Sequence, residues 1–236
     1  MSMKFVAHRG FKFFETENTL EAFQYAMDVE SCYGIETDVY KTIDDHFVLI
    51  HDNDLSIITN KKYKTKVNKS TLREIKTILL PNKNGEYDGN ERRIPTLKEG
   101  LELIKTSSKV LFLEFKEDFN NDDIKKIIDI IVDNGMLDRV VFISFFKNVL
   151  LRVRNVLPKQ KCMLLLNKFD NKSLEFAKIN NIGLDINFEK LSKINILKIL
   201  ENKVLLNVFT VNNLMNAKEL SDLGIDLLTS DWIYKI

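Results

Sequence analysis

The stretch FVAHRGFKFFETEN, residues 5–18, decides how the rest of the chain is read. Its apolar start, Phe5-Val6-Ala7, gives way abruptly to His8, Arg9 and Gly10, and then to Glu17 and Asn18. That is the pattern of a buried strand whose end delivers charged side chains into a polar loop. In a ring of alternating strands and helices such an end marks the mouth of the ring, and the other charged residues singled out below fall at the same place in their own strands.

Working outward, short apolar runs alternate with longer helical patterns along nearly the whole chain, the signature of βα units around a parallel sheet. The pattern predicts strands over 4–9, 34–40, 47–51, 110–116, 140–145, 161–166, 183–188, 204–211 and 226–230. Helices are expected over 19–29, 96–106, 122–133, 147–157, 172–180, 191–201 and 214–223. The run 47–51 follows an Asp44-Asp45 turn and should pair back on the second strand, which leaves eight strands for a barrel. The chain has 236 residues, close to the roughly 250 typical of an eight-unit α/β barrel. The fold class expected is therefore α/β, a (β/α)8 TIM barrel of one domain, with a doubly wound sheet as its rival. Residues 52–95 break the rhythm with one short helix, 71–78, and the polar stretch LPNKNGEYDGNERRIP, which should bury little. They read as a small insertion after the second strand, beside the mouth.

Composition narrows the partners. Lys and Arg number 35 against 34 Asp and Glu, a formal net charge of +1, so nucleic acid is not expected as a partner. No apolar segment of signal-peptide length opens the chain, and none approaches the roughly 18 residues of a membrane span. The expectation is a cytoplasmic protein without stable membrane insertion. Cys32 and Cys162 lie in unrelated elements and read as reduced packing residues.

In Gly34-Ile-Glu-Thr-Asp-Val-Tyr40, strand alternation points Glu36 and Asp38 to one face and Ile35, Thr37 and Val39 to the other. In Leu111-Phe-Leu-Glu-Phe-Lys116 it aims Glu114 and Lys116 together, with Leu113 and Phe115 toward the helices. Charges facing a barrel interior are costly unless paired or metal-bound. Pairing of Glu36, Asp38 and Glu114 with Arg9 and Lys116 is the plain structural reading; three carboxylates from two strand ends also make a hard-cation site for Mg²⁺ or Ca²⁺. His8 and His51, each at a strand end, suit general acid–base work near neutral pH, with Asp52 placed to orient His51 or cap the turn. His46, in a polar turn, should be solvated. Three carboxylates, one divalent ion, Arg9 and Lys116 sum to +1, which a phosphodiester monoanion neutralises. Without the ion the sum is −1, and the substrate is repelled by a few kcal/mol per close pair at an effective dielectric near 20.

Taken in order, His8-Arg9-Gly10, Glu17-Asn18-Thr19, Glu36-Thr-Asp38, His51-Asp52, Ile94-Pro-Thr-Leu-Lys-Glu99, Glu114-Phe-Lys116, Ser144-Phe145, Val208-Phe-Thr-Val-Asn212 and Asp226-Leu-Leu-Thr-Ser-Asp231 resemble the motifs of a known family. The chain resembles, over essentially its whole length, a glycerophosphodiester phosphodiesterase with a phosphatidylinositol-phosphodiesterase-like TIM barrel. The resemblance implies that His8 and His51 are the acid–base pair and that Glu36, Asp38 and Glu114 bind one divalent cation, Mg²⁺ or Ca²⁺. It implies that Arg9 and Lys116 hold the phosphate, and that Glu17 and Asn18 order the substrate loop and reach toward the metal. The implied reaction is hydrolysis of glycerophosphodiesters such as glycerophosphocholine or glycerophosphoethanolamine to sn-glycerol 3-phosphate and an alcohol, by attack of a glycerol hydroxyl and then opening of a cyclic phosphate. The insertion would help enclose glycerol. Two departures stand out: the family's proline before Glu-Asn-Thr is Thr16 here, which would loosen the loop, and its Thr-Asp near the last strand is Ser230-Asp231, which keeps the hydroxyl. Phe209 and Trp232 read as packing residues, with lining of the alcohol side as the alternative.

Two other readings fit less of the sequence. A lysophospholipase D acting on lysophospholipids would need an apolar or membrane-facing surface, and the basic run at 61–66 beside Phe11, Phe13 and Phe14 is the only hint of one. A non-catalytic barrel that binds a phosphate ligand is permitted by the fold but does not require both histidines and all three carboxylates.

Overall fold

The computed structural model describes residues 3–232. Its strands, in chain order, are β1 (Lys4–Ala7), β2 (Cys32–Lys41), β3 (Phe47–Leu49), β4 (Leu79–Leu80), β5 (Arg92–Arg93), β6 (Val110–Phe115), β7 (Val140–Ser144), β8 (Cys162–Leu166), β9 (Gly183–Asn187), β10 (Leu206–Phe209) and β11 (Leu227–Ser230). The helices are α1 (Leu20–Asp28), α2 (Leu72–Thr77), α3 (Leu97–Ile104), α4 (Asn121–Asp133), α5 (Lys147–Val156), α6 (Asn171–Asn180), α7 (Lys193–Glu201) and α8 (Leu214–Asp222). The strands β2, β6, β7, β8, β9, β10, β11 and β1 run parallel around a ring that closes through β1 on β2. This is the (β/α)8 barrel expected from the sequence rather than the doubly wound sheet.

Local chemistry explains where the elements stop. Thr71 and Thr96 open α2 and α3 with reciprocal capping boxes to Glu74 and Glu99. Asn120, Asp170, Ser192 and Asn213 cap α4, α6, α7 and α8 through their side chains. β3 pairs antiparallel with β2, Val39 opposite Leu49, after the acidic turn. Strand alternation sorts side chains into two layers. Ile35, Val39, Leu113, Phe115, Phe142 and Leu164 pack outward against the helices, while Val6, Phe112, Val141, Ile143, Met163 and Leu165 fill the barrel interior. Cys32 and Cys162 are buried and free, and burial pushes their thiols up to about 11 and about 12. Among the described residues no helix is long and apolar enough to cross a membrane.

Two expectations need correction. The first strand ends at Ala7, not Arg9, because residues 8–10 form a 3₁₀ turn in which Arg9 takes φ 50° and Gly10 φ 82°. The inserted segment also buries more than its polarity suggests. Leu55, Val67, Ile75, Ile78, Leu80 and Ile94 form a small core of their own with Val48 and Ile50, closed by the β4–β5 ribbon. Only the middle of the polar stretch is exposed.

β2 approaches β6 closely at Gly34. A Cβ there would lie 2.7 Å from the Phe112 ring and 2.8 Å from the Val110 carbonyl oxygen. The backbone oxygen cannot swing aside, so Gly34→Ala should cost about 1–3 kcal/mol through overpacking. Urea denaturation would show it as a lower midpoint at unchanged slope, and an unshifted midpoint would contradict this packing.

Candidate active site

Three strand ends meet at the barrel mouth. β1 and β2 are neighbours, and the Arg9 backbone N–H donates to Glu36 Oε2 at 2.9 Å. β2 and β6 are neighbours with Asp38 opposite Glu114. The result is a buried cluster in which one oxygen from each of Glu36, Asp38 and Glu114 lies within 4.8 Å of the others. Two cations face it. Arg9 Nε lies 3.6 Å from Asp38 Oδ2, and its Nη1 donates to Glu17 Oε1 at 2.8 Å. Lys116 Nζ lies 3.0 Å from Glu114 Oε1 and 3.4 Å from Asp38 Oδ1.

The carboxyls differ in acidity for a physical reason. Burial raises Glu36 well above the usual range, and repulsion from Asp38 and Glu114 adds to it. Burial and Asp38 push Glu114 up to about 8 despite Lys116. Burial opposes ionisation of Asp38 too, but Arg9, Lys116 and the Asn18 amide hold it at about 2. Arg9 and Lys116 stay charged against burial because the same carboxylates surround them. With no cation among them, two of the three acids favour the protonated form. Asp38 Oδ1 is buried and makes no hydrogen bond, with the Lys116 ammonium 3.4 Å away. The donor set, oxygen-only and anionic, fits a hard divalent cation.

Asn18 ties the loop to this cluster: its Nδ2 donates to Asp38 Oδ2 at 2.9 Å while its Oδ1 accepts from Thr37 Oγ1 at 2.5 Å. Asn18 and Arg9 both take positive φ, a conformation costing on the order of 1 kcal/mol for an arginine unless its surroundings fix it. Here Asn18 N–H donates to the Arg9 carbonyl, so the two strained residues hold each other.

Both histidines line the same cavity of about 160 Å³, with Arg9, Glu36, Glu114 and Lys116. His8 Nδ1 lies 2.6 Å from Asp231 Oδ1, and its Nε2 faces Glu36 Oε2 at 3.9 Å. His51 Nδ1 lies 3.0 Å from Asp52 Oδ1. Burial lowers both imidazoles, the more so for Arg9 beside them, and their carboxylate partners only partly offset it. His46 is exposed in its turn, as expected. All nine residues singled out from the sequence therefore come together at one end of the barrel.

The geometry adds residues that sequence reasoning passed over. Asp231 orients His8 and is itself held by Asn212 Nδ2 at 2.6 Å; both belong to the motifs quoted above, but nothing in the linear order pairs Asp231 with His8. Asp185 and Thr229 line the cavity floor. A carboxylate at the centre of the apolar run GLDIN was the available signal for the first. Phe209 does face the cavity, edge-on to Phe145, whereas Trp232 packs against Phe13 outside it. A wider groove of about 580 Å³, shared with the insertion, opens from Arg9 and His51 toward Phe13, Ile57 and Asn82.

The model of the Glycerophosphoryl diester phosphodiesterase family matches residues 8–235. The chain belongs to this family. Its members are phosphoric diester hydrolases, the enzyme class expected from the sequence. A glycerophosphodiester phosphodiesterase of Caldanaerobacter subterraneus is 36% identical over 162 residues, 68% of this chain and 65% of that protein. The chain thus spans somewhat under two thirds of that relative. A glycerophosphodiester phosphodiesterase of Bacillus altitudinis is 28% identical over 97% of this chain and 94% of its own. An Oleispira antarctica phosphodiesterase, solved with the product sn-glycerol-3-phosphate, superposes with a TM-score of 0.88 at 23% identity, over 98% of this chain and 93% of that one. The fold is the one they share.

The residue that replaces the family's proline is tied down by hydrogen bonds of its own. Thr16 is buried, donates from Oγ1 to the Pro81 carbonyl at 2.7 Å, and accepts Thr19 Oγ1 at its own carbonyl. A hydroxyl thus pins the loop to the insertion where proline would stiffen it. Thr16→Val keeps the shape and strands a buried carbonyl, so it should cost about 1–3 kcal/mol, read as a lower thermal midpoint. Proteolysis should open the loop at 11–16 first; an unchanged midpoint would show that the bond is dispensable.

Proposed function

We propose that this protein is a metal-dependent glycerophosphodiester phosphodiesterase that cleaves deacylated phospholipids, such as glycerophosphocholine or glycerophosphoethanolamine, to sn-glycerol 3-phosphate and an alcohol. The observation that carries the reading is the convergence of two carboxylate-paired histidines on one cavity that also holds three acids, an arginine and a lysine. Phosphate binding alone needs only the two cations.

Glu36, Asp38 and Glu114 would hold one divalent cation, Mg²⁺ or Ca²⁺. When bound, the ion supplies Lewis-acid stabilisation of charge on a phosphoryl oxygen. Arg9 and Lys116, both held charged, would clamp the remaining phosphoryl oxygens, with the planar guanidinium fixed by Glu17. His8 is the base: with Nδ1 engaged by Asp231, the Nε2 lone pair takes the proton of the attacking glycerol hydroxyl. The hydroxyl oxygen forms its bond to phosphorus as the bond to the leaving oxygen breaks. His51 is the acid, because it alone of the two borders both the inner cavity and the outer groove, so the departing alkoxide takes its proton there. The roles then reverse as water opens the cyclic phosphate.

The deciding assay is release of glycerol 3-phosphate from both substrates, with chelator and then with Mg²⁺ or Ca²⁺ restored. Metal-dependent release is expected, and His51→Ala should lower kcat by about 10²–10⁴-fold with substrate affinity kept within an order of magnitude. No release with either ion, together with intact phosphate binding, would leave a binding barrel as the better reading.

The acidity of the site makes a second test. Burial and the neighbouring Asp38 push the Glu114 carboxyl up to about 8 in the folded protein, well above the ordinary carboxyl range of an unfolded chain, so between the two the unfolded chain binds fewer protons than the folded one. Metal-free stability should fall as pH rises across that window. A divalent cation removes the repulsion, so the rise in thermal midpoint on adding it should be larger at pH 8 than at pH 5.5. An equal rise at both would contradict a carboxylate-held ion.

A further inference from the structure

The mechanism leaves one buried carboxyl unused. Asp185 is the middle residue of β9, faces the barrel interior, is 2% exposed and lines the floor of the inner cavity. Its Oδ1 is buried without a hydrogen-bond partner, and so is Oδ1 of Asn207, the residue opposite it on β10. The Asn207 amide donates to Thr229 Oγ1 at 2.8 Å, and Thr229 lines the same floor. Three polar residues on consecutive strands thus interrupt an interior otherwise filled by Ile143, Met163, Leu165 and Leu227. No cation pairs with Asp185 in the described residues, and burial, only partly offset by Asn207, raises it to about 7. A neutral carboxyl donates and accepts at once, which is what a hydroxyl requires. Asn207 partners the Asp185 side chain, and Oδ1 is the atom left unanswered, which is costly in such a place unless something completes it.

We infer that Asp185, with Thr229, binds the glyceryl hydroxyl that does not attack phosphorus and is the residue that separates a glyceryl phosphodiester from an alkyl one. The inference rests on the function proposed above and deepens it. The cavity of about 160 Å³ has room for roughly five waters' share of liquid. Walled by Phe145 and Phe209, it takes a three-carbon polyol and excludes one carrying an acyl chain.

The test compares binding of sn-glycerol 3-phosphate with n-propyl phosphate, which has the same charge and carbon chain without hydroxyls, by calorimetry on metal-loaded protein. Wild type should prefer glycerol 3-phosphate by about tenfold or more, the scale of one net hydrogen bond. Asp185→Ala should erase that preference by weakening glycerol 3-phosphate alone, while Asp185→Asn, which keeps shape and a donor–acceptor pair, retains most of it. Thr229→Val, nearly isosteric, should lower the preference by a smaller factor and keeps the test open if Asp185→Ala does not fold. A preference left intact in these variants, or equal affinity in wild type, overturns the assignment and leaves a polar layer that holds water. Wild-type protein that binds neither phosphate overturns the parent function and this inference with it.

Discussion

Five ionisable groups packed within a few ångströms of one another at the barrel mouth set the terms for the rest of the structure. Removing a charge from water costs several kcal/mol even after relaxation; Arg9 and Lys116 offset it by pairing with Asp38 and Glu114, while Glu36 accepts the Arg9 backbone N–H. The partition is unequal. Asp38 touches both cations and stays ionised, while Glu36 and Glu114 sit where repulsion and burial favour the proton. An arriving divalent cation would displace those protons, which ties metal binding to pH and to stability.

That cluster depends on closure of the sheet. Glu36 and Asp38 come from β2 and Glu114 and Lys116 from β6, but Arg9 and His8 enter from β1, which reaches β2 only because the ring is complete. Asp231 follows the last strand and meets His8 across a separation of 223 residues. Orientation of one imidazole is therefore a property of the whole barrel. A slip of one residue in any of these strands would turn the charges toward the helices, where Ile35, Val39, Leu113 and Phe115 now pack.

This dependence explains what the sequence disclosed and what it hid. Period-two alternation in 34–40 and 111–116 was enough to put the carboxylates on one face, and the acidic turn at Asp44-Asp45 was enough to fold β3 back on β2. Both are local signals. The insertion's core was not visible, because Leu55, Val67, Ile75, Leu80 and Ile94 follow no regular period and meet only after the segment folds. The hydrogen bond of Thr16 was hidden for a related reason. Proline acts on its own φ, but a threonine acts through a partner, and Pro81 lies 65 residues away. The polar floor at Asp185 and Thr229 needed the register of neighbouring strands before its members could be seen as one layer.

If the proposed function holds, the two spaces that meet at the mouth would divide recognition between the ends of the substrate. The inner cavity is small, bordered by the polar side chains of Asp185 and Thr229 and by the rings of Phe145 and Phe209. The outer groove is several times larger, bounded partly by the insertion and by side chains as different as Phe13, Glu15, Asn60 and Lys83. Such a surface offers no single donor or acceptor pattern, and discrimination requires one. As the proposed acid, His51 at the boundary would need only an oxygen to protonate and no particular carbon skeleton beyond it. On the proposed function, strict reading of the glyceryl end and tolerance of the alcohol would be two consequences of one arrangement, with the chemistry placed at the seam.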